Sequence, residues 1–394
     1  MEVKIYFAPL EGITGYIYRN AYEEHFGKGK IDKYFIPFIA PNKNKSFTSM
    51  NMNNIMPEHN IKLNAIPQIL TADAAQFIDT ALMLRDYGYT QINLNLGCPS
   101  PTVVTKGKGS GFLSDADKLR SFFDDIFSSG IFKTNKACDI HYMTAEDDCG
   151  NNVKNGNTGL ELSVKTRIGV NDVSEVYDIF KVYNEYYFDE IIVHPRIQKE
   201  FYKGKPHFDI YEELVQMSSN RLCYNSDIFT MTDWEAFKEQ FPMQDTVMLG
   251  RGLIANPQFI DDITASTKAE CPEYDMERLR HFHDRLLNDY SKVMSGDVNV
   301  LHKMKELWFY MGKSLSGCDK YLKSIKKSRH MSDYKAAADS AGQHLPSHGL
   351  LSAVLQQLKS LRRPPPCFRE TAVGGQIPCQ RLILHTVLPA PQRN

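Results

Sequence analysis

The chain has 394 residues, 42% hydrophobic and 24% charged, an ordinary globular composition that excludes a disordered, collagenous or fibrous protein. Its 46 Lys and Arg nearly balance 47 Asp and Glu, so the net charge of −1 announces no nucleic-acid binder and any basic surface has to be local. No apolar run reaches the ~18–20 residues of a membrane span, no signal-like segment follows Met1, and the eight cysteines form no CxxC pair, so the expectation is a reduced cytoplasmic protein with no membrane association and no metal.

Short apolar runs recur at 5–10, 34–39, 65–70, 91–96, 160–166, 190–194, 221–225 and 246–250. Amphipathic helical patterns lie between most of them. The stretch 74–87 puts Phe77, Ala81, Leu82 and Leu84 on one face, and 115–128 groups Leu119, Phe122, Phe123 and Ile126 behind an N-cap at Asp115 or Ser114. Buried strands alternating with helices imply parallel βαβ units. Eight such units in about 260 residues fit a (β/α)8 TIM barrel, an α/β fold, better than the alternative open doubly wound sheet. No GxGxxG follows the first strand, which weakens a dinucleotide-binding start.

Residues 136–159 are polar with an Asn/Gly-rich end, and read as a loop or hairpin insertion; Cys138, His141 and Cys149 there are too few and too poorly spaced for a metal site. The barrel pattern stops near 265. From 276 to 338 the sequence reads helical, with helices expected at 278–294, 298–313 and 319–328, so residues 1–265 form a barrel domain and 266–340 a small all-helical domain. Within 301–330, eight Lys and Arg face Glu306 and Asp319, a local charge of +6. A charge run is usually a solvated face, but the interleaved Trp308, Phe309, Tyr310 and Tyr321 also suit a nucleic-acid surface. Residues 341–394 change in character: seven of the 19 prolines, one acid (Glu370), no Tyr and a preference for Arg, Pro and Gln mark an atypical tail, poorly ordered apart from a short helix at 350–361.

The residues suited to chemistry fall at consecutive strand ends, where barrel active sites are built. Asn93-Leu94-Asn95-Leu96-Gly97-Cys98-Pro99-Ser100-Pro101 ends the fourth strand and sets Cys98 on a turn, where a thiol can act as acid or nucleophile. A lone cysteine is more often structural, and only the company of the other motifs argues otherwise. Lys106-Gly107-Lys108-Gly109-Ser110-Gly111 reads as a phosphate cradle or a mobile lid. Lys165 in Val164-Lys165-Thr166-Arg167 and His194 in Val193-His194-Pro195-Arg196 end strands five and six. Asn225-Ser226-Asp227 and Gly250-Arg251-Gly252 end strands seven and eight, whose loops form the usual barrel phosphate site.

With Ala8-Pro9-Leu10-Glu11-Gly12 at strand one and Gln68 at strand three, these motifs resemble the tRNA-dihydrouridine synthases over about residues 1–340. Asn-x-Gly-Cys-Pro is the most specific of them. Leu10 stands where many members have Met, Pro195 where many have Gly, the 136–159 insertion is long for the family, and the tail beyond 341 matches nothing in it. The resemblance implies FMN over the barrel mouth and NADPH as its reductant. Pro9, Leu10, Glu11 and Gln68 would contact the flavin ring system; Lys165 and His194 would approach it; Asn225, Ser226, Asp227, Gly250 and Arg251 would hold its ribityl and phosphate. Asn95, Arg167 and Arg196 would meet the substrate, and Lys323, Lys326, Lys327 and Arg329 the RNA. Hydride would reach C6 of a tRNA uridine flipped from its stack, and Cys98 would donate a proton to C5. Two other readings stand beside this one: a flavin oxidoreductase of free pyrimidines, against which the basic helical region argues, and an RNA-binding protein without catalysis, against which Cys98, Lys165 and His194 argue. A monomer is the expected state.

Overall fold

The computed structural model describes residues 3–41, 47–134, 159–265, 275–315 and 317–344. Nine parallel strands form one sheet: β1 (Lys4–Phe7), β2 (Lys33–Phe35), β3 (Ala65–Ile66), β4 (Gln68–Ile69), β5 (Gln91–Leu96), β6 (Glu161–Arg167), β7 (Glu190–His194), β8 (Leu222–Tyr224) and β9 (Thr246–Leu249). Their order is β3-β2-β1-β9-β8-β7-β6-β5-β4. β3 and β4 are two halves of one strand parted by Pro67, which has no N–H to give to a ladder. The first half pairs with β2 through Tyr34 opposite Ala65, and the second with β5 through Gln68 opposite Asn93. Both ends of the order are therefore one stretch of chain, and the sheet closes into the expected eight-membered barrel.

Alternation along each strand sorts the side chains. Ile5 and Phe7 face the surrounding helices, while Tyr6 and Ala8 face inward with Phe35, Ile66, Ile192, Cys223 and Met248. The N-terminal end of the barrel is sealed by Lys33, ion-paired with Glu190 (2.7 Å) and Asp189 (3.2 Å). The C-terminal end stays open to a cavity. Helices start where short polar side chains can cap them: Asp73 accepts from Gln76 N–H before Ala74–Asp86, and Asp115, the first of the two expected caps, accepts from Lys118 N–H before Ala116–Ser128.

Four helices follow: Met276–Val293, Asp297–Met311, Asp319–Lys327 and Met331–His344. The first wedges Phe282 edge-on against Tyr18 (5.5 Å) and Phe26 (5.3 Å) of the barrel's outer layer. Arg278 adds a bond to the His25 carbonyl (2.6 Å) and an ion pair with Asp261 (2.5 Å). Two expectations need correction here. Trp308 is no RNA-facing surface: it is 7% exposed, and its Nε1 donates to the Tyr334 hydroxyl (2.9 Å) in the core of the helical region. Helical spacing is the reason, since Met304, Leu307, Trp308 and Met311 recur on one face and are all buried. The folded body also passes residue 340, because Met331–His344 runs on and Ala341 is wholly buried. The expected insertion at 136–159, apart from Gly159, and the expected helix at 350–361 lie outside the described residues. No described helix is long and apolar enough to cross a membrane, and no described group of His, Cys, Asp and Glu could hold a metal ion.

Candidate active site

The strand ends and the helical region together enclose a cavity of about 620 Å³, within the range of small-molecule sites. Its floor comes from the loops after the strands: Pro9, Leu10 and Glu11 after β1, Gln68 of β4, Asn95 and Cys98 at β5, Lys165 and Arg167 of β6, His194 of β7, Asn225 and Ser226 after β8, and Gly250 and Arg251 after β9. Thirteen candidates named from the sequence thus converge on one cavity. Its roof comes from Glu306, Phe309, Tyr310 and Lys313. Their i, i+3, i+4, i+7 spacing marks one helix face, a pattern visible in the sequence once the barrel is known to lie beneath it. Phe201 and Tyr202 form a side wall that no motif announced.

Cys98 is held by a chain of side-chain amides. Ser163 Oγ accepts from Asn93 (2.8 Å), Asn93 Oδ1 from Gln68 (2.7 Å), and Gln68 Oε1 from Asn95 (2.7 Å). Asn95 Oδ1 then accepts from the backbone N–H groups of Gly97 (3.0 Å) and Cys98 (2.9 Å). Asn95 lines the cavity, but its carbonyl oxygen is spent on the turn that carries the thiol. From the other side Ser110 donates to the Cys98 carbonyl through N–H (3.1 Å) and Oγ (2.9 Å). The Gly-rich loop thus buttresses the Cys98 turn through Ser110. Gly109 has φ +57°, and a Cβ there would lie 2.7 Å from the Cys98 carbonyl oxygen, so only glycine fits. Burial pushes the Cys98 thiol upward, partly offset by the Ser100 backbone and Arg167, and the group is a protonated thiol at neutral pH.

Burial pulls the Lys165 ammonium down to about 8, with the Arg167 charge adding to the effect. His194 is held well below its ordinary range by burial, then by Arg167, Lys165, Arg196 and Arg251. A neutral imidazole is also what its hydrogen bond requires, because the Arg196 guanidinium donates to Nε2 (3.3 Å). Arg196 and Asp227 do not line the cavity. Arg196 is wholly buried and gives its donors to Asp227 (2.5 Å), the Gly204 carbonyl (2.7 Å) and Ser226 (3.2 Å). Asp227 also takes Arg251 (2.6 Å), so it orients two arginines. Arg167 reaches the cavity wall, yet its guanidinium serves the carbonyls of Gly97 (3.0 Å), Ile197 (2.9 Å) and Phe201 (2.6 Å). Phe201 adopts φ +53° to present that carbonyl, a costly conformation for a bulky residue. Arg251 stacks on Tyr202 (4.4 Å to the ring centre). Lys323, Lys326, Lys327 and Arg329 lie away from the cavity, exposed on and just after Asp319–Lys327.

The donor set suits a polar, anionic aromatic cofactor such as a flavin nucleotide. Lys165 makes no hydrogen bond or ion pair among the described residues, His194 is neutral, Gln68 keeps one amide N–H uncommitted, and the lining cations outnumber the carboxylates of Glu11 and Glu306. Glu306 is moreover committed to Lys303 (2.8 Å).

The dihydrouridine synthase (Dus) family model matches residues 7–128 and 146–347. The chain belongs to the dihydrouridine synthase family. Curated relatives named "Probable tRNA-dihydrouridine synthase" include one from Staphylococcus aureus, 24% identical over 341 residues, covering 84% of this chain and 91% of the relative. Another, from Staphylococcus epidermidis, is 24% identical over 319 residues, covering 75% and 87%. A "tRNA-dihydrouridine(16) synthase" of Pseudomonas syringae pv. tomato is 22% identical over 275 residues, covering 68% and 77%. In this member of the family, the motif residues of the strand ends are those that meet at the cavity.

Proposed function

We propose that this protein reduces uridine in tRNA to 5,6-dihydrouridine, with FMN in the cavity and NADPH as the source of electrons. The observation that carries the reading is the Cys98 turn, braced from two sides on the wall of a cation-lined cavity. Family membership and the names of the relatives add the substrate class. When bound, FMN supplies the hydride that adds to C6 of the uracil. Cys98 Sγ gives its proton to C5, so hydride and proton together saturate the 5,6 bond. A raised thiol pKa keeps that proton in place at neutral pH. Lys165 and Gln68 would hold the flavin ring system, with Lys165 meeting negative charge, while Asn225, Ser226, Gly250 and Arg251 would hold its ribityl and phosphate. Asn95 and Arg167 serve by fixing the Cys98 turn. The exposed Lys323, Lys326, Lys327 and Arg329 would meet RNA phosphates, a division of labour between a catalytic barrel and an RNA-binding helical region.

The test is an absorbance spectrum of the purified protein, followed by anaerobic NADPH and then unmodified tRNA, with dihydrouridine read by mass spectrometry. A yellow protein that bleaches with NADPH and recovers with tRNA, but in the Cys98→Ala variant bleaches and then recovers ~10²–10⁴-fold more slowly, supports the reading. Recovery with free uracil or orotate instead would make it a small-molecule enzyme.

A further inference from the structure

The cavity carries a cation that the flavin and RNA assignments leave unused. Lys313 follows the helix Asp297–Met311 and lines the cavity from above. Its ammonium lies 3.9 Å from the Phe309 ring centre and 5.9 Å from that of Tyr310, and it has no carboxylate partner among the described residues. Glu306, on the same helix face, is already paired with Lys303. Across the cavity stands Arg251, stacked between Tyr202 (4.4 Å) and Phe229 (5.3 Å) and tethered by Asp227.

These two cations are not brought together by chance side-chain wandering. Arg251 begins the helix Arg251–Ala255, and Ser314, the neighbour of Lys313, donates to the Ala255 carbonyl (2.7 Å) in a buried bond. The helical region is thus pinned to the same short helix that carries Arg251. Burial and the Arg251 charge together draw the Lys313 ammonium down to about 8, which is the signature of two like charges sharing a poorly solvated space. Asp227 offsets Arg251, but Lys313 has no carboxylate of its own among the described residues, and a phosphate is an anion that an ammonium and a guanidinium can share.

We propose that Lys313 and Arg251 clamp one phosphate group between the helical roof and the barrel floor, so that the helical region takes part in the cavity site itself. This deepens the functional reading above, whose two ligands both carry phosphate: the cofactor's monoester and the diester backbone of the RNA.

The experiment compares the full-length wild type with K313Q and K313R, using inorganic phosphate, flavin mononucleotide and unmodified tRNA as separate probes. Calorimetry follows phosphate, fluorescence quenching follows the flavin, and filter binding follows the RNA. K313Q should bind inorganic phosphate about tenfold more weakly, the loss expected for one charge-assisted contact, and K313R should restore it. A parallel loss for the flavin assigns the cofactor's phosphate; a parallel loss for tRNA assigns the RNA backbone. Equal affinity of wild type and K313Q for all three probes overturns the inference, as does an absence of phosphate binding by the wild type. A loss in K313Q that K313R leaves unrestored, with a lowered unfolding midpoint, makes Lys313 structural and overturns it as well. If the wild type binds phosphate through Lys313 but takes neither flavin nor tRNA, this inference stands and the functional reading falls.

Discussion

Replacing Asn95 with Ala separates two roles that the sequence alone cannot tell apart. A substrate contact and a brace for the Cys98 turn predict different losses. Asn95 Oδ1 accepts from Gly97 and Cys98 N–H, and its amide donates to Gln68 Oε1. Ala leaves all three groups without that partner. A buried group so stranded costs about 1–3 kcal/mol. Gln68, at 1% exposure, cannot turn to water, whereas Gly97 and Cys98 are half-buried and recover part of the loss. The sum is about 2–4 kcal/mol of unfolding free energy, measured by urea denaturation. A freed turn lets the thiol drift, and ~1 Å of misplacement costs about 10²-fold in turnover. Burial is what raises the thiol, so loosening the turn should bring it down and speed its alkylation by iodoacetamide at neutral pH, read on the Cys98 peptide by mass spectrometry. Affinity for tRNA should change little. Unaltered alkylation and unfolding, combined with a higher KM for tRNA, would refute the reasoning and make Asn95 a substrate contact after all.

Gly109→Ala should be a remote copy of that defect. Its Cβ would press on the Cys98 carbonyl at 2.7 Å from a left-handed backbone, costing about 1–2 kcal/mol for the conformation alone, with turnover falling more than tRNA affinity. Lys165 sets a pH limit: its ammonium is held down near 8, so it is charged below that and neutral above, and anionic flavin should bind less tightly as pH rises through about 8. Lys165→Arg should move that limit to higher pH, which a flavin titration across pH would show. Tyr334→Phe strands Trp308 Nε1 and His283 Nε2, which bond to its hydroxyl at 2.9 and 2.6 Å. It should cost about 1–3 kcal/mol, seen as lost hydrogen-exchange protection in the four C-terminal helices while the barrel keeps its own. Lys323, Lys326 and Lys327 changed together to Gln should lower the salt slope of tRNA binding by about two to three, with Cys98 alkylation unchanged.

The barrel was legible because parallel strands buried on both faces are written as short apolar runs, and each of the eight runs became a strand. What no run could convey is the Pro67 break, which divides the third strand without opening the barrel. The site was legible for a related reason: a residue at a strand's C-terminal end has little choice but to face the mouth. The misreadings came one step beyond the strand ends. Arg196 and Asp227 sit in loops after β7 and β8, and their mutual bond depends on those strands being neighbours, a fact of topology with no trace in either motif. Trp308 and Tyr310 failed differently. They were grouped with the nearby lysines by composition, whereas helix periodicity assigns Trp308 to the buried stripe and Tyr310 to the roof of the cavity. Gly109 was legible as a glycine but not in purpose, because the reason for it, the Cys98 carbonyl, lies eleven positions away.

Positive charge gathers around Cys98 from the strand ends and the helical roof. Lys165, Arg167, Arg251 and Lys313 share one cavity with two lining carboxylates, one of which is spent on Lys303. Arg167 is committed to three carbonyls, whereas Arg251 gives one nitrogen to Asp227 and keeps others for a ligand. Burial is the main cause that holds His194 and Lys165 down, and the charges that remain add to it, Arg167 at both and Arg251 at His194. Cys98 feels Arg167 and Lys165, which lower it, but its burial is the larger effect and pushes the thiol upward. A site crowded with positive charge favours anionic ligands, and a thiol that keeps its proton there is suited to give it up only when a carbanion-like centre is presented. Burial, more than any charged neighbour, is therefore what favours the protonated Cys98 thiol that the proposed proton donation needs.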